Sequence, residues 1–236
     1  MDFCRLTVGK SNEKNRDTWL RQTLANLPAN SRILDAGAGT QCYRPDCSHL
    51  QYVSQDFAKY DGTGDTAGLQ VGEFNYGDID IISDIASIPE PAASFDAIMC
   101  TEVLEHLPNP LLAISEFSRL LKPGGCLILT APFCSLTHFS PFFFNTGLSR
   151  YWYEKVLVDN GFTIVELTTN GNYFEYLAQE IGRVSSMSKR YANTKIRLHE
   201  KIVMQFMKYI LQRLSDRDTG SQEILCFGHH VLARKS

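Results

Sequence analysis

Two glycines one residue apart, Gly37 and Gly39, follow an apolar run that carries an acid, in the stretch ILDAGAGT at residues 33–40. Ile33, Leu34, Asp35 and Ala36 read as a buried strand, and the glycines as a tight turn at its end. Lacking a Cβ, both glycines can take left-handed dihedrals, so the main chain there can come close to a nucleoside or a phosphate. Asp56 stands 21 residues after Asp35, at the end of a second candidate strand that begins at Tyr52. In a strand–helix–strand unit, an acid at that place lies beside the first turn and can accept hydrogen bonds from both ribose hydroxyls of an adenosine. A glycine turn of the ordinary kind and a solvated acid at a strand end would use the same residues, so the pair alone does not fix a ligand.

The elements that must hold these residues alternate along the chain. A helix over 11–27, with Trp19, Leu20, Leu24 and Leu27 at helical spacing, precedes the first strand. Residues 40–49 read as a short helix or an irregular segment. The glycine-rich stretch 58–77 reads as a long loop, of a length that is usually functional. Strands are predicted over 80–85, 95–100 and 126–130, with a helix over 109–121 whose packed side holds Leu112, Phe117 and Leu120. A helix over 151–160, a strand over 162–167, helices over 173–187 and 194–214, and a strand over 224–233 follow. The last helix carries Ile196, His199, Val203, Phe206, Met207, Ile210 and Leu214 on one stripe, for which core packing is the usual use. Strands alternating with helices at this pitch predict an α/β fold with a parallel sheet covered on both faces. Ligands of such sheets sit at the carboxyl ends of the strands, where Gly37, Asp56, Asp84 and Thr101 fall.

Composition narrows the partners. The chain has 236 residues, 23 basic and 26 acidic, for a net charge of −3, so there is no global basic field for a nucleic-acid backbone and none is expected as partner. Seven cysteines, at 4, 42, 47, 100, 126, 134 and 226, lack a C-x-x-C pair. They fit reduced thiols in a cytoplasmic protein, and no metal is expected on Cys42 and Cys47. Residues 1–10 carry charges and no apolar run, and 133–148 is too broken by polar residues to span a bilayer, so neither a signal peptide nor a membrane contact is expected. No linker divides the chain. Residues 1–236 read as one domain, with 172–215 as a helical insert before the last strand.

With these motifs in order, the sequence resembles the class I S-adenosylmethionine-dependent methyltransferases. ILDAGAGT is similar to the family's first motif, FDAIMCTEVLEHLPNP (95–110) to its fourth-strand motif, and LLKPGGCLILTAP (120–132) to the turn and fifth strand after it. The resemblance implies a Rossmann-like, seven-stranded, mostly parallel sheet with helices on both faces and an antiparallel last strand. It implies a site for S-adenosyl-L-methionine built on Asp35, Gly37, Gly39, Asp56, Asp84, Ile85 and Thr101, with Asp56 on the ribose and Asp84 and Ile85 on the adenine. The family's third glycine position is Gln41, and the last glycine of a dinucleotide fingerprint would fall on Cys42. A dinucleotide needs that glycine beneath its pyrophosphate, whereas the methyl donor has no phosphate, so the substitution favours S-adenosylmethionine over NAD.

Methyl transfer asks an enzyme to align a nucleophile, exclude water and remove a proton when the nucleophile is a hydroxyl. His138, in a loop leaving the fifth strand among aromatic residues, is the candidate catalytic residue; His106, in EVLEHLPNP, reads more readily as a loop pin. A histidine satisfied within an aromatic cluster is the plainer use of either. Asn145, Arg150, Tyr151, Glu102 and Glu105 could touch an acceptor. The expectation is methyl transfer to an oxygen or nitrogen of a small-molecule acceptor, with a homodimer through the insert as a use for its helices. The rivals are a protein or RNA methyltransferase, a non-catalytic protein that keeps the fold, and a dehydrogenase.

Overall fold

The computed structural model describes residues 6–236; Cys4 and the first half of the charged 1–10 stretch lie outside the described residues. Helix α1 (Asn12–Ala25) leads to strands β1 (Arg32–Ala36), β2 (Gln51–Asp56), β3 (Ile81–Ile82) and β4 (Phe95–Thr101). Helix α2 (Pro110–Leu120), β5 (Leu121–Pro132), α3 (Arg150–Asp159), β6 (Phe162–Asn170), α4 (Tyr173–Tyr191), α5 (Leu198–Ser215) and β7 (Gly228–Lys235) follow. The seven strands make one sheet in the order β3-β2-β1-β4-β5-β7-β6. β1 runs parallel to β2 and β4, β2 to β3, and β4 to β5, whereas β7 runs antiparallel to β5. This is the Rossmann-like α/β sheet that the resemblance implies.

The period of two along each strand divides its apolar residues between two cores. Leu34 and Ala36 of β1, Ile98 and Cys100 of β4, and Leu127 and Leu129 of β5 pack with Ala113, Ile114, Phe117 and Leu120 of α2 and Tyr153 and Leu157 of α3. Their strand neighbours Ile33, Ala97, Met99 and Ile128 pack on the other side with Leu20 and Leu24 of α1. A sheet buried on both faces needs continuous apolar runs, which is why β4 reads FDAIMC.

Contacts divide the described chain into two units, Asp17–Thr168 with Gly228–Ser236, and Thr169–Phe227 with the described residues before Asp17. The second unit has a small core of its own, Val8, Ala178 and Leu211, flanked by Phe174, Leu177 and Ile181. Glu175 accepts the Gly9 N–H at 2.5 Å, and Gln212 Oε1 accepts those of Thr7 and Val8 at 3.0 and 2.9 Å.

Several expectations need correction. β3 is two residues long, because Asp84 turns the chain by accepting the Ala86 N–H at 2.9 Å. The last strand starts at Gly228, four residues later than expected. Ser221–Glu223 forms a 3-10 turn, with Asp218 holding the Ser221 N–H at 3.2 Å. Helix α5 starts at Leu198, not at 194, and its stripe is largely exposed: Val203 is 60% and Phe206 49% accessible. On α2 the packed side is Ala113, Ile114, Phe117 and Leu120, while Leu112 faces outward.

Candidate functional site

The chain leaves β1 through three residues in the left-handed region, Gly37 (φ +75°), Gly39 (φ +52°) and Gln41 (φ +57°). The turn is closed onto the end of β2. Gly37 and Ala38 both donate their N–H to the Gln55 carbonyl at 2.9 Å, and Gly39 donates to Asp56 Oδ2 at 2.9 Å. Asp56 Oδ1 accepts the Ala58 N–H at 2.9 Å. Burial pushes the Asp56 carboxyl above its ordinary range, against the pull of these main-chain donors. A carboxylate has about four acceptor positions, so two main-chain bonds leave capacity for hydroxyl donors. Glycine is required at 37, because a Cβ there would stand 2.5 Å from Val103 Cγ2; at 39 it would stand 3.3 Å from the edge of the Phe74 ring.

Asp35 lies one level down in β1, beside Ser54 and Met99 of the neighbouring strands, and is buried. The Tyr52 hydroxyl donates to it at 2.6 Å. Burial raises the Asp35 pKa to about 7, opposed by the Tyr52 hydrogen bond and assisted by the charge of Asp56. Gln41 explains the missing third glycine. Its backbone keeps the left-handed conformation a glycine would take. Its side-chain amide donates to the carbonyls of Tyr76 and Asp78 at 2.8 and 2.9 Å. The side chain thus ties down the end of the long 57–80 loop, a use that a glycine lacks. An open hollow of about 500 Å³ lies outside it, between Thr40, Arg44, Asn75 and Gly77.

The remaining predicted cofactor residues sit in different surroundings. Asp84 is exposed after β3, while Ile85 is buried within the larger core. Thr101 ends β4 opposite Thr130 of β5. Both threonine hydroxyls are buried with no hydrogen-bond partner among the described residues, although buried hydroxyls ordinarily have one. Orphaned hydroxyls at a strand end, a main-chain turn open to left-handed dihedrals and a carboxylate with acceptor capacity all fit the ribose and amino-acid parts of S-adenosylmethionine.

A second cluster forms where the loops after β2 and β5 meet. Leu69 donates its N–H to the Thr137 carbonyl at 2.8 Å and accepts from Phe139 at 3.3 Å, while Gln70 Nε2 donates to Ser140 Oγ at 2.6 Å. This docking packs Tyr60 and Phe74 against Phe139, with ring centroids 4.4 and 5.7 Å apart. His106 stacks on the same ring at 5.1 Å and meets His138 edge-on at 4.7 Å. The buried Glu105 carboxylate faces both histidines, with Oε1 at 3.7 Å from His106 Nε2 and 3.9 Å from His138 Nε2. Burial, followed by the neighbouring His138, lowers the His106 pKa to about 4, so its ring is neutral.

Sequence reading found both histidines but not Glu105 as their common partner. The adjacency of Glu105 and His106 was visible, whereas nothing in the spacing ties either to residue 138. The other candidates are engaged locally: Asn145 Nδ2 donates to the Leu107 carbonyl at 2.8 Å. Arg150 pairs with Glu154 at 2.9 Å and lies over the Tyr151 ring at 4.4 Å. Glu102 takes a left-handed φ of +53°, a strained conformation for a non-glycine residue at the end of β4.

Comparison with known proteins gives the family. The family described as Methyltransferase domain matches residues 11–190. The chain belongs to that family. It is a member of the class I S-adenosylmethionine-dependent methyltransferases, as its motifs and sheet order imply. Among curated methyltransferases, the Ubiquinone biosynthesis O-methyltransferase of Xanthomonas axonopodis pv. citri is 36% identical over 107 residues, 44% of this chain and 44% of that protein. The Protein-L-isoaspartate O-methyltransferase of Rhodopseudomonas palustris is 32% identical over 103 residues, 43% of this chain and 45% of its own. The chain thus spans less than half the length of these curated relatives. Among solved structures, the [4+2]-cyclase SpnF aligns over 96% of this chain and 83% of its own at 18% identity, TM-score 0.57. Geranyl diphosphate C-methyltransferase from Streptomyces coelicolor A3(2) aligns over 95% and 79% at 12% identity, TM-score 0.53. At these identities the likeness is one of fold, and the cyclase shows that the methyltransferase fold does not by itself fix the reaction.

Proposed function

We propose that this protein transfers a methyl group from S-adenosylmethionine to an oxygen or nitrogen of a small-molecule acceptor, releasing S-adenosylhomocysteine. The observation that carries the reading is the glycine turn closed onto Asp56, with Gly39 N–H on the carboxylate at 2.9 Å, inside the segment that matches the family. When bound, S-adenosylmethionine supplies a methyl group on a sulfonium, which is electrophilic without further activation. The chain's own residues then bind and orient. Asp56 takes the ribose hydroxyls, the main chain of Gly37 and Gly39 and the Thr101 hydroxyl line the amino-acid end above Asp35, and Asp84 with Ile85 holds the adenine.

Oxygen is favoured over nitrogen, since both curated relatives named above are O-methyltransferases. An oxygen acceptor must lose a proton, and His138 is the residue we place at that hydroxyl, with the surrounding aromatic rings excluding water. On this reading residues 1–236 work as one methyltransferase domain, and 172–215 is an insert available to a homodimer. A cytoplasmic place goes with it, as none of the six described cysteines is in a disulfide. No described helix is long and apolar enough to cross a membrane.

A screen of small hydroxylated and amino acceptors for release of S-adenosylhomocysteine tests the activity. Turnover of a small acceptor, reduced in His138→Ala, is expected. Turnover confined to protein or RNA acceptors would replace the small-molecule reading, and an unchanged rate in His138→Ala would remove that residue from the chemistry.

A further inference from the structure

Glu105 and His106 share the 3-10 turn Leu104–His106, and His138 reaches the same spot from the loop after β5. One carboxylate oxygen and one nitrogen from each imidazole lie within 4.8 Å of one another. Each ring has its Nδ1 against a main-chain carbonyl, His106 on Phe142 at 2.6 Å and His138 on Leu136 at 2.8 Å. A carbonyl oxygen only accepts, so Nδ1 carries the hydrogen and Nε2 is the lone-pair atom of the neutral ring. Metal-ligating histidines are held in this way, the N–H fixed from behind by a carbonyl and the lone pair turned toward the ion. Here both Nε2 atoms face the same carboxylate oxygen.

We propose that Glu105, His106 and His138 bind one divalent transition-metal ion of the zinc class, through Oε1 and the two Nε2 atoms. Two imidazoles and one carboxylate are a donor set for such an ion and a poor one for magnesium or calcium, which take oxygen ligands. Ligands about 2.1 Å from a shared tetrahedral ion lie about 3.4 Å apart. The Glu105 separations of 3.7 and 3.9 Å therefore need to close by only a few tenths of an ångström, and the remaining one, between the two imidazole nitrogens and within 4.8 Å, closes by small rotations of the rings. The His138 side chain is 25% exposed, which gives an ion a way in. Three protein ligands leave a position for an outside molecule, as catalytic sites of this class do. The inference rests on the methyltransferase reading for its use alone: a Lewis acid beside the acceptor makes a hydroxyl there more acidic, so that its proton passes to solvent, and His138 then serves that hydroxyl as a ligand of the ion and not as the acceptor of its proton.

The test is a titration of chelator-stripped full-length protein with Co²⁺, followed by visible absorption, with displacement by Zn²⁺. The expected result is one equivalent bound with the d–d bands of a four- or five-coordinate ion. His138→Ala and Glu105→Gln are each expected to weaken binding at least about tenfold. Calorimetry with S-adenosylmethionine on the same variants shows that they are folded. Failure of the wild-type protein to bind an equivalent, or binding unchanged in both folded variants, would overturn the site. Binding of S-adenosylmethionine without metal would leave the methyltransferase reading standing and remove this one; metal bound without S-adenosylmethionine would do the reverse.

Discussion

Asp35 is a buried acid whose pKa rises from 3.8 to about 7, and the sign of its effect on stability follows directly. Between those values the folded chain keeps a proton that the unfolded chain has released. Its contribution is therefore full below about pH 4 and is lost as pH rises toward 7, by at most about 4 kcal/mol at ~1.4 kcal/mol per pH step. Asp35→Asn is expected to flatten the fall in urea midpoint between about pH 4 and 7; an undiminished slope would place the proton elsewhere. At Gly37, two costs are separable. Gly37→Ala is expected to destabilise by about 1–3 kcal/mol, part from the φ of +75° and part from Val103. A double-mutant cycle with Val103→Ala should show that the second part is relieved and the first is not, as a coupling of about 0.5 kcal/mol or more.

Among the elements, the central strands were legible because their burial on both faces writes itself as continuous apolar runs. The Asp35–Asp56 spacing likewise foretold that Asp56 would stand beside the turn, where it holds Gly39. Helix α5 was not legible in the same way. Periodicity reports an apolar stripe but not what covers it, and Phe206 is half exposed. Phe206→Ser is accordingly expected to change stability by no more than about 0.5 kcal/mol. Phe117→Ala, in the core beneath α2, should cost about 3–5 kcal/mol. Thermal melts of the two variants decide this, and a large loss at Phe206 would mean that the helix face is buried. The docking of the 57–80 loop on the loop after β5 also escaped the sequence. It rests on main-chain pairing between Leu69 and Thr137, which leaves no mark in residue types. Gln41 escaped for a related reason, since a left-handed backbone at a non-glycine residue is visible only in the fold.

At the scale of the whole molecule, the carboxyl ends of β1, β2 and β4 bring the glycine turn, Asp56 and Thr101 to one edge of the sheet. The turn after β4 and the loop after β5 place Glu105, His106 and His138 together, within an aromatic cluster that the loop after β2 completes. The family match over residues 11–190 contains every one of these residues. The claim on which the account depends is that the edge holds S-adenosylmethionine through Asp56. Isothermal titration of the full-length protein with S-adenosylmethionine and S-adenosylhomocysteine tests it most directly. Saturable one-to-one binding is expected, weakened about 10–100-fold in Asp56→Ala, as loss of a charged hydrogen-bond acceptor of about 1.5–3 kcal/mol implies. Absence of binding to both compounds, or equal affinity in Asp56→Ala, would contradict it.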